Sequence, residues 1–186
     1  MFGKKFKIWK QHVGYVEPKM ELDKRSLIFI NESPNKDPVY AHDGDSGFDL
    51  RAWIRKDEEG AKVDKKTDEV SITLKPFERR KIHTGLSFIL PEFTELQIRP
   101  RSGCAIDDGL TVINSPATVD YGYRGEVCIL SVNLSNKNVV IKSGERIAQA
   151  VLCPVYNSHL VNLEKADSIS NSTERGSNGY GSSGKN

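Results

Sequence analysis

Short apolar runs separated by turn-forming residues dominate the sequence from Leu27 onward, and this pattern limits the folds open to the chain. The runs are four to ten residues long and rich in Val, Ile, Leu and Phe, with Gly, Pro, Asn and Asp between them. Such punctuated strands are typical of a β-sandwich or barrel. The expected strands are 27–30, 70–74, 86–90, 110–113, 127–134, 138–141 and 147–156. We therefore predict an all-β architecture.

Three other segments do not follow this pattern. Residues 55–69 are mostly charged and offer only Ala61 and Val63 to a core, which predicts a solvated loop between two strands. Residues 1–26 are basic and mildly aromatic, and the sequence leaves open whether they pack as a helix or a strand. Residues 165–186 are rich in Gly and Ser and are expected to form a flexible arm. The β domain itself is then predicted to span 27–164.

Charge and hydropathy exclude some function classes. The net charge is only +2, so no global field indicates a nucleic-acid or membrane partner. No stretch approaches the ~20 apolar residues of a membrane span. Lys7 and Lys10 interrupt the only apolar residues that could form the core of a signal peptide. We expect a soluble, cytoplasmic protein that binds neither membranes nor nucleic acid directly.

The cysteines and histidines do not predict a metal site. Cys104, Cys128 and Cys153 are odd in number, lack a C-x-x-C pair and have no histidine nearby in sequence. We expect them to be reduced packing residues. None of the four histidines is spaced with another as metal ligands on one element would be, so a structural role is expected for each.

Five stretches contain more distinctive combinations of residues than loops between strands require. They are DGDSGFDLRA (43–52), RPRSGCA (99–105), NSPATVDYGYRGEV (114–127), GERIAQAV (144–151) and RGSNGYGSSG (175–184). In order and spacing they resemble the five motifs of the trimeric deoxyuridine triphosphate nucleotidohydrolases, the dUTPases. The resemblance implies a distorted jelly-roll or β-sandwich subunit in a homotrimer with a flexible C-terminal arm, in which each site receives residues from all three subunits. It also implies hydrolysis of dUTP to dUMP and pyrophosphate, which limits uracil incorporation into DNA and supplies dUMP.

The third motif also has a structural interpretation of its own. Asp120, Tyr121 and Gly122 predict a tight turn in which Gly122 supplies a positive φ, so that the flanking apolar runs pair as a hairpin bent around Pro116. A bent hairpin leaves backbone groups free to meet a small planar ligand. An ordinary hairpin without a ligand is the alternative.

The resemblance assigns roles to residues of this hairpin. It implies that uracil pairs with the main chain at Thr118, Val119 and Cys128, with help from the amide of Asn114. Tyr123 would lie under the deoxyribose and exclude a 2′-hydroxyl, although without the resemblance it would be predicted as a core residue. Asp120 would orient water toward the α-phosphorus, a task that a positioned carboxylate can perform.

The resemblance places the phosphates and the metal ion on other motifs. Arg101, Ser102 and the amide of Gly103 would hold the α/β region, and Gln149 the β-phosphate, as phosphoryl transfer requires. Mg²⁺ would use the phosphates as its main ligands. Asp49 would contact the ion through water or brace the site, or else it caps a strand end. Arg124 is expected to orient the hairpin or to make a subunit contact.

The C-terminal motif also permits three interpretations. Gly179 to Lys185 fall one residue short of the phosphate-loop pattern G-x-x-x-x-G-K-[ST], but no helix can follow Asn186 to complete it. A disordered tail is the second interpretation. The resemblance implies the third, in which the arm closes over the nucleotide, with Arg175 and backbone amides at Gly181 and Ser182 on the γ-phosphate and Tyr180 stacked on uracil.

Two rival functions stay open at this stage. A deoxycytidine triphosphate deaminase of the same fold would act on the base, although the intact TVDYGYRGE hairpin argues against it. A regulator that binds a protein partner is the second rival, and residues 1–26 and 55–69 are the surfaces that it would use.

Overall fold

The computed structural model describes residues 25–170 and 173–179, which contain twelve β-strands. In these short segments, buried and more exposed side chains alternate. In Val70–Leu74, for example, Val70, Ile72 and Leu74 are buried while the residues between them are half-exposed. A strand that buries one face in this way needs a second layer over that face. The strands are β1 (Ile28–Asn31), β2 (Gly47–Arg51), β3 (Lys62–Val63), β4 (Val70–Leu74), β5 (Arg79–Ile82), β6 (Leu86–Ile89), β7 (Thr94–Pro100), β8 (Leu110–Val112), β9 (Ala117–Val119), β10 (Ile129–Asn133), β11 (Val139–Lys142) and β12 (Arg146–Pro154).

The strands form antiparallel sheets that pack around one apolar core. The largest sheet has the order β2-β12-β7-β9, and smaller sheets have the orders β5-β10-β8, β11-β4-β3 and β1-β6. Side chains from all of these sheets meet in the core, with Leu50, Leu74, Ile82 and Leu96 fully buried. The only helical element of the described residues is a single π-helical turn at Cys104–Asp108. The predicted all-β class is confirmed.

The charged segment 55–69 differs in part from the predicted loop. Most of its side chains are exposed, but Lys62–Val63 pairs with β4, and Ala61 packs partly against the core. Asp64 accepts hydrogen bonds from the amides of Lys66 and Thr67 at 2.7 and 3.2 Å and so closes the turn that follows β3. The segment is therefore a short, solvated β-ribbon.

The strand β7 connects the regions that matter for function. One of its edges pairs with β12, where Gln149 lies opposite Arg99, and the other pairs with β9, where Val119 lies opposite Leu96. Leu96 and Ile98 anchor β7 in the core. Among the described residues, no helix combines the length and the apolar character that a bilayer crossing needs.

Candidate active site

The third motif forms one wall of a cavity of about 480 Å³. The hairpin is less simple than the sequence predicts: β8 pairs with β10, whereas the residues nearest the turn leave this pairing and form β9, which pairs with β7. Within its sheet β9 is the last strand, so one backbone edge of it has no strand partner there. The cavity brings together six residues that sequence analysis selects: Asn114, Thr118, Val119, Asp120, Tyr123 and Cys128.

The turn after β9 is closed by backbone and arginine contacts. The amide of Tyr123 donates to the carbonyl of Asp120 at 3.0 Å, and Arg124 Nη1 donates to the carbonyls of Tyr121 and Tyr123 at 2.7 and 2.8 Å. Arg124 thus holds the turn, as one of its two expected roles requires. Gly122 does not have a positive φ, so that prediction was wrong: the hydrogen bonds shape the turn, without left-handed backbone at this position.

Tyr123 lies at the surface of the cavity. Its side chain is 47% exposed, which excludes the core position that its apolar ring alone would suggest. The hydroxyl donates to the carbonyl of Glu126 at 2.9 Å, and the ring covers Gly125 so closely that a Cβ there would lie 2.6 Å from the hydroxyl oxygen. The glycine therefore makes room for the aromatic ring.

Asp120 is exposed at the end of the cavity. It also lines a second cavity, together with Thr94, Tyr156 and His159. Among the described residues its carboxylate has no hydrogen-bond partner in the chain, so both oxygens are available to solvent or to a ligand. The position is wet and accessible, as a residue that orients water must be.

Glu126 and His83 also line the cavity, and sequence analysis missed both. Glu126 Oε1 accepts the amides of Thr84 and Gly85 at 3.1 and 2.8 Å, while Oε2 lies 2.7 Å from His83 Nδ1. Burial by itself would raise the pKa of the Glu126 carboxyl, but the hydrogen bonds from His83 and from the two amides outweigh it and lower that pKa. The contact joins residues 43 positions apart, and no local pattern indicates it.

The tautomer of His83 follows from its two neighbours. Arg55 Nη2 lies 3.3 Å from His83 Nε2, and because a guanidinium only donates, Nε2 must be an acceptor. The proton is then on Nδ1 and points to Glu126. Cys128 Sγ lies 3.7 Å from the same Nδ1, and burial, followed by the nearby Glu126 charge, raises the pKa of this thiol.

The first, second and fourth motifs meet on the β2-β12-β7 face. Gln149 lies beside Asp49 on one side and Arg99 on the other, and its Nε2 donates to the carbonyl of Pro100 at 2.9 Å. Arg101 follows β7 directly and donates to the carbonyl of Arg146 at 2.9 Å. Ser102 and Gly103 are exposed beyond it. Two predicted phosphate ligands, Arg101 and Gln149, thus lie near Asp49.

Asp49 is engaged by two guanidinium groups. Arg101 Nε lies 2.7 Å from Oδ1, and Arg146 Nη1 lies 3.0 Å from Oδ2. Two cations beside one carboxylate make direct coordination of a metal ion electrostatically unfavourable. Arg146 is not among the predicted site residues, although GERIAQAV contains it. Within the described ranges, the only group of three or more converging metal-binding side chains is His83, Glu126 and Cys128, which is not an all-oxygen site for Mg²⁺.

The two regions are far apart within one chain. Val119 is paired with Leu96, and Arg101, the residue that follows β7, is five residues farther along the chain than Leu96. At about 3.4 Å per residue, Arg101 lies about 17 Å along the strand from the point opposite Val119. Asp120 is one residue beyond Val119 in the other direction. The described lining of the 480 Å³ cavity includes none of Arg101, Ser102 and Gln149.

The C-terminal motif is described only at its beginning. Arg175 is exposed, and its Nε donates to the carbonyl of Asn178 at 3.3 Å. The predicted ligands Tyr180, Gly181 and Ser182 lie outside the described residues, as do residues 1–24 of the predicted N-terminal extension.

Comparisons with known proteins converge on one family. The dUTPase family model matches residues 67–184. The deoxyuridine 5′-triphosphate nucleotidohydrolase of Cytophaga hutchinsonii is 44% identical over 161 residues, covering 86% of this chain and 92% of that protein. The protein of the same name from Fusobacterium nucleatum is 42% identical over 164 residues, covering 88% and 100%.

Solved structures show the same fold. A mutant of the Staphylococcus bacteriophage 80alpha dUTPase with dUpNHpp has a TM-score of 0.65 at 24% identity, covering 87% of this chain and 99% of that one. The dUTPase from phage phi11 of S. aureus has a TM-score of 0.60 at 20% identity, covering 78% and 100%.

Proposed function

The chain belongs to the dUTPase family, and we propose that it hydrolyses dUTP to dUMP and pyrophosphate by directing water at the α-phosphorus. The observation that carries the proposal is the cavity beside β9. It collects the predicted base-binding, sugar-binding and water-orienting residues of the third motif, and the accessible carboxylate of Asp120 stands at its end.

The base is recognised by the backbone. The free edge of β9 offers main-chain groups at Thr118 and Val119, and we infer that uracil pairs with them and with the main chain of Cys128 and Asn114. Cytosine would place a hydrogen-bond donor of the base against a hydrogen-bond donor of the main chain. A site built on hydrogen bonds discriminates against such an analogue by about 10⁴-fold in kcat/KM. The Tyr123 ring, held by its bond to the Glu126 carbonyl, fills the space that a 2′-hydroxyl would need.

Asp120 acts on the attacking water. Its carboxylate accepts a proton from the water and fixes the line of approach to the phosphorus, a contribution of about 10²–10⁴-fold for a positioned general base. The turn that Arg124 holds fixes the backbone that carries this carboxylate at the end of the base cavity.

The triphosphate needs cations and donors on several sides. Arg101, Ser102 and the amide of Gly103 bind its α/β region, and Gln149 binds the β-phosphate. Because Arg101 lies about 17 Å along β7 from the point opposite Val119, we propose that the phosphate ligands come from another copy of the chain. A homotrimer then builds each site from more than one subunit, as heterologous interfaces in a closed ring allow.

The metal ion is Mg²⁺ in this proposal, carried on the phosphates. Asp49 is held by two arginines and suits contact through water better than direct coordination. Bound to the triphosphate, the ion would neutralise charge that develops on the pyrophosphate leaving group.

The arm completes the site. Arg175, Gly181 and Ser182 contact the γ-phosphate and Tyr180 covers uracil, so closure excludes bulk water from the reaction. A segment rich in Gly and Ser loses conformational entropy when it becomes ordered, and the bound triphosphate offsets that cost. A cytoplasmic location is supported by the three cysteines, which are all unpaired, as in a reducing compartment.

A nucleotide panel tests the proposal. The full chain with Mg²⁺ is expected to release pyrophosphate from dUTP and far less from dTTP, dCTP and UTP. In ¹⁸O-labelled water the label should appear in dUMP, since water attacks the α-phosphorus. Conversion of dCTP to dUTP would instead establish a deaminase, and label in pyrophosphate would exclude attack at the α-phosphorus.

A further inference from the structure

His83, Glu126 and Cys128 form a cluster that the proposed hydrolysis does not use as side chains. One ligand atom of each residue lies within 4.8 Å of the ligand atoms of the other two, and the three residues line the base cavity. Each is half-buried, so the cluster is neither sealed in the core nor fully solvated. One imidazole, one carboxylate and one thiol are the donor types that Zn²⁺ prefers.

The geometry is close to what a tetrahedral ion requires. Bonds of about 2.0–2.3 Å in a tetrahedron place donor atoms about 3.3–3.8 Å apart. His83 Nδ1 and Cys128 Sγ are 3.7 Å apart, within that range. His83 Nδ1 and Glu126 Oε2 are 2.7 Å apart because they share a proton, and they must separate by about 0.6 Å or more when the ion replaces it.

The surrounding contacts hold the ligands in place. Glu126 Oε1 is bound by the amides of Thr84 and Gly85, which leaves Oε2 free to face an ion. The backbone of His83 is fixed by the amide of Trp53, which donates to its carbonyl at 2.7 Å. Gly85 has a positive φ of 71°, and a Cβ there would lie 2.7 Å from Ser33, so this loop has little freedom. Such outer contacts orient metal ligands.

We propose that His83, Glu126 and Cys128 bind Zn²⁺ in the wall of the base cavity, and that the bound ion keeps nucleotides out. Three protein ligands leave the fourth position for water, directed into the cavity. The second part rests on the proposed function, because the ion would stand beside the Cys128 main chain where uracil is inferred to pair. This ion is distinct from the Mg²⁺ that accompanies the phosphates.

Zn²⁺ binding changes the positions of two protons. Binding releases the Cys128 thiol proton to solvent, while the imidazole stays neutral and moves its proton from Nδ1 to Nε2. Arg55, which now donates to Nε2, must turn away. Arg55 is exposed over the Trp53 ring, so it has room to move, and it opposes metal binding both as a cation and by favouring the wrong tautomer.

Cobalt spectroscopy on the full-length protein tests the metal site without any nucleotide. After chelator treatment, added Co²⁺ should produce a thiolate-to-cobalt charge-transfer band, with an intensity that corresponds to one thiolate ligand per chain. Zn²⁺ should displace the Co²⁺ and abolish this band. We expect Cys128→Ser to lose the band and His83→Gln to weaken binding at least about tenfold, while Arg55→Gln tightens it by a similar factor. Cys153→Ser, which removes a thiol near Arg99, is the matched control and should keep the band. No band in the wild type, or a band that survives Cys128→Ser, would overturn the site.

Kinetics then test the effect on nucleotide binding. With Mg²⁺ in excess, Zn²⁺ should raise the KM for dUTP and leave kcat unchanged, and His83→Gln should be less sensitive. If Co²⁺ binds as expected but Zn²⁺ leaves KM unaltered, exclusion of nucleotides is wrong and the metal site stands. If dUTP is not hydrolysed at all, the proposed function fails while the cobalt result still decides the site.

Discussion

Asp49 pairs with Arg101 and Arg146 at once, through Oδ1 at 2.7 Å and Oδ2 at 3.0 Å. This arrangement joins β2, the end of β7 and the start of β12 at the place where the phosphate ligands are proposed. The carboxylate therefore positions two cations that, without it, would repel each other.

Replacing Asp49 by Asn is expected to lower kcat/KM for dUTP by about 10²-fold, because small displacements of positioning groups cost about that much. The unfolding free energy should change by only about 0–1 kcal/mol, as for other partly exposed ion pairs. Steady-state kinetics and thermal melting measure the two effects. Asp57→Asn, at an exposed site in the charged segment, is the control. Wild-type kcat/KM in Asp49→Asn would remove this carboxylate from the site.

Mixed oligomers test whether one chain supplies Asp120 and another supplies Arg101. Asp120→Asn and Arg101→Ala should each be nearly inactive alone. When they are unfolded together and reassembled at equal concentrations, about one quarter of the sites should regain both native residues, since each has an even chance of coming from the right parent. Pyrophosphate release measures the recovery. Activity no greater than the sum of the parents would mean that a single chain supplies both residues.

Gly125 and Gly122 form a matched pair of substitutions. A Cβ at Gly125 would lie 2.6 Å from the Tyr123 hydroxyl, whereas one at Gly122 would meet nothing within 4 Å, and neither residue has a positive φ. Gly125→Ala should displace the ring and raise the relative rate with UTP by about tenfold, within the range for a changed packing contact. Gly122→Ala should keep the native preference. If the ratio of the dUTP rate to the UTP rate is the same in both variants, the Tyr123 ring does not exclude the 2′-hydroxyl.

Asp64 predicts a pH effect in the β-ribbon. Hydrogen bonds from the amides of Lys66 and Thr67 lower the pKa of its carboxyl below the ordinary 3.8. Because the folded value is the lower one, the stabilisation is complete above about pH 4 and disappears as pH falls through the folded pKa. A carbon-13 NMR titration of this carboxyl should give a midpoint below 3.8, returning to 3.8 in denaturant. A titration midpoint in the folded protein at or above the midpoint in denaturant would show that Asp64 does not accept these hydrogen bonds.

The sequence predicted elements whose signal is local. Alternation in β4 and apolar runs in β10 and β12 indicate strands directly, and the third motif carries the residues of the base cavity within one short segment. β5 gives no such signal, because only Ile82 in its charged run RRKI is buried. The contact of His83 with Cys128 joins positions 45 residues apart, and it depends on how the β5 and β10 sheet is assembled. Spacing along the chain cannot reveal a cluster of that kind.

The resemblance to the family already implies sites shared between subunits, but the distance between Asp120 and Arg101 within one chain lay beyond the sequence. Both belong to motifs that resemble one family, and the motifs imply one site, but the length of β7 between them is a property of the folded sheet. Arg146 was missed for a related reason: it pairs with Arg51 in the strand register, and its side chain reaches Asp49 only because β2 and β12 pair with a register shift between Arg146 and Ala148.

The most direct test of the mechanism is the Asp120→Asn variant, assayed for dUTP binding and for pyrophosphate release in the same preparation. The amide keeps the size of the side chain but cannot accept the proton of the attacking water. We predict that dUTP still binds with native affinity while kcat falls by about 10²–10⁴-fold. Pyrophosphate release at the wild-type rate would show that another group activates the water.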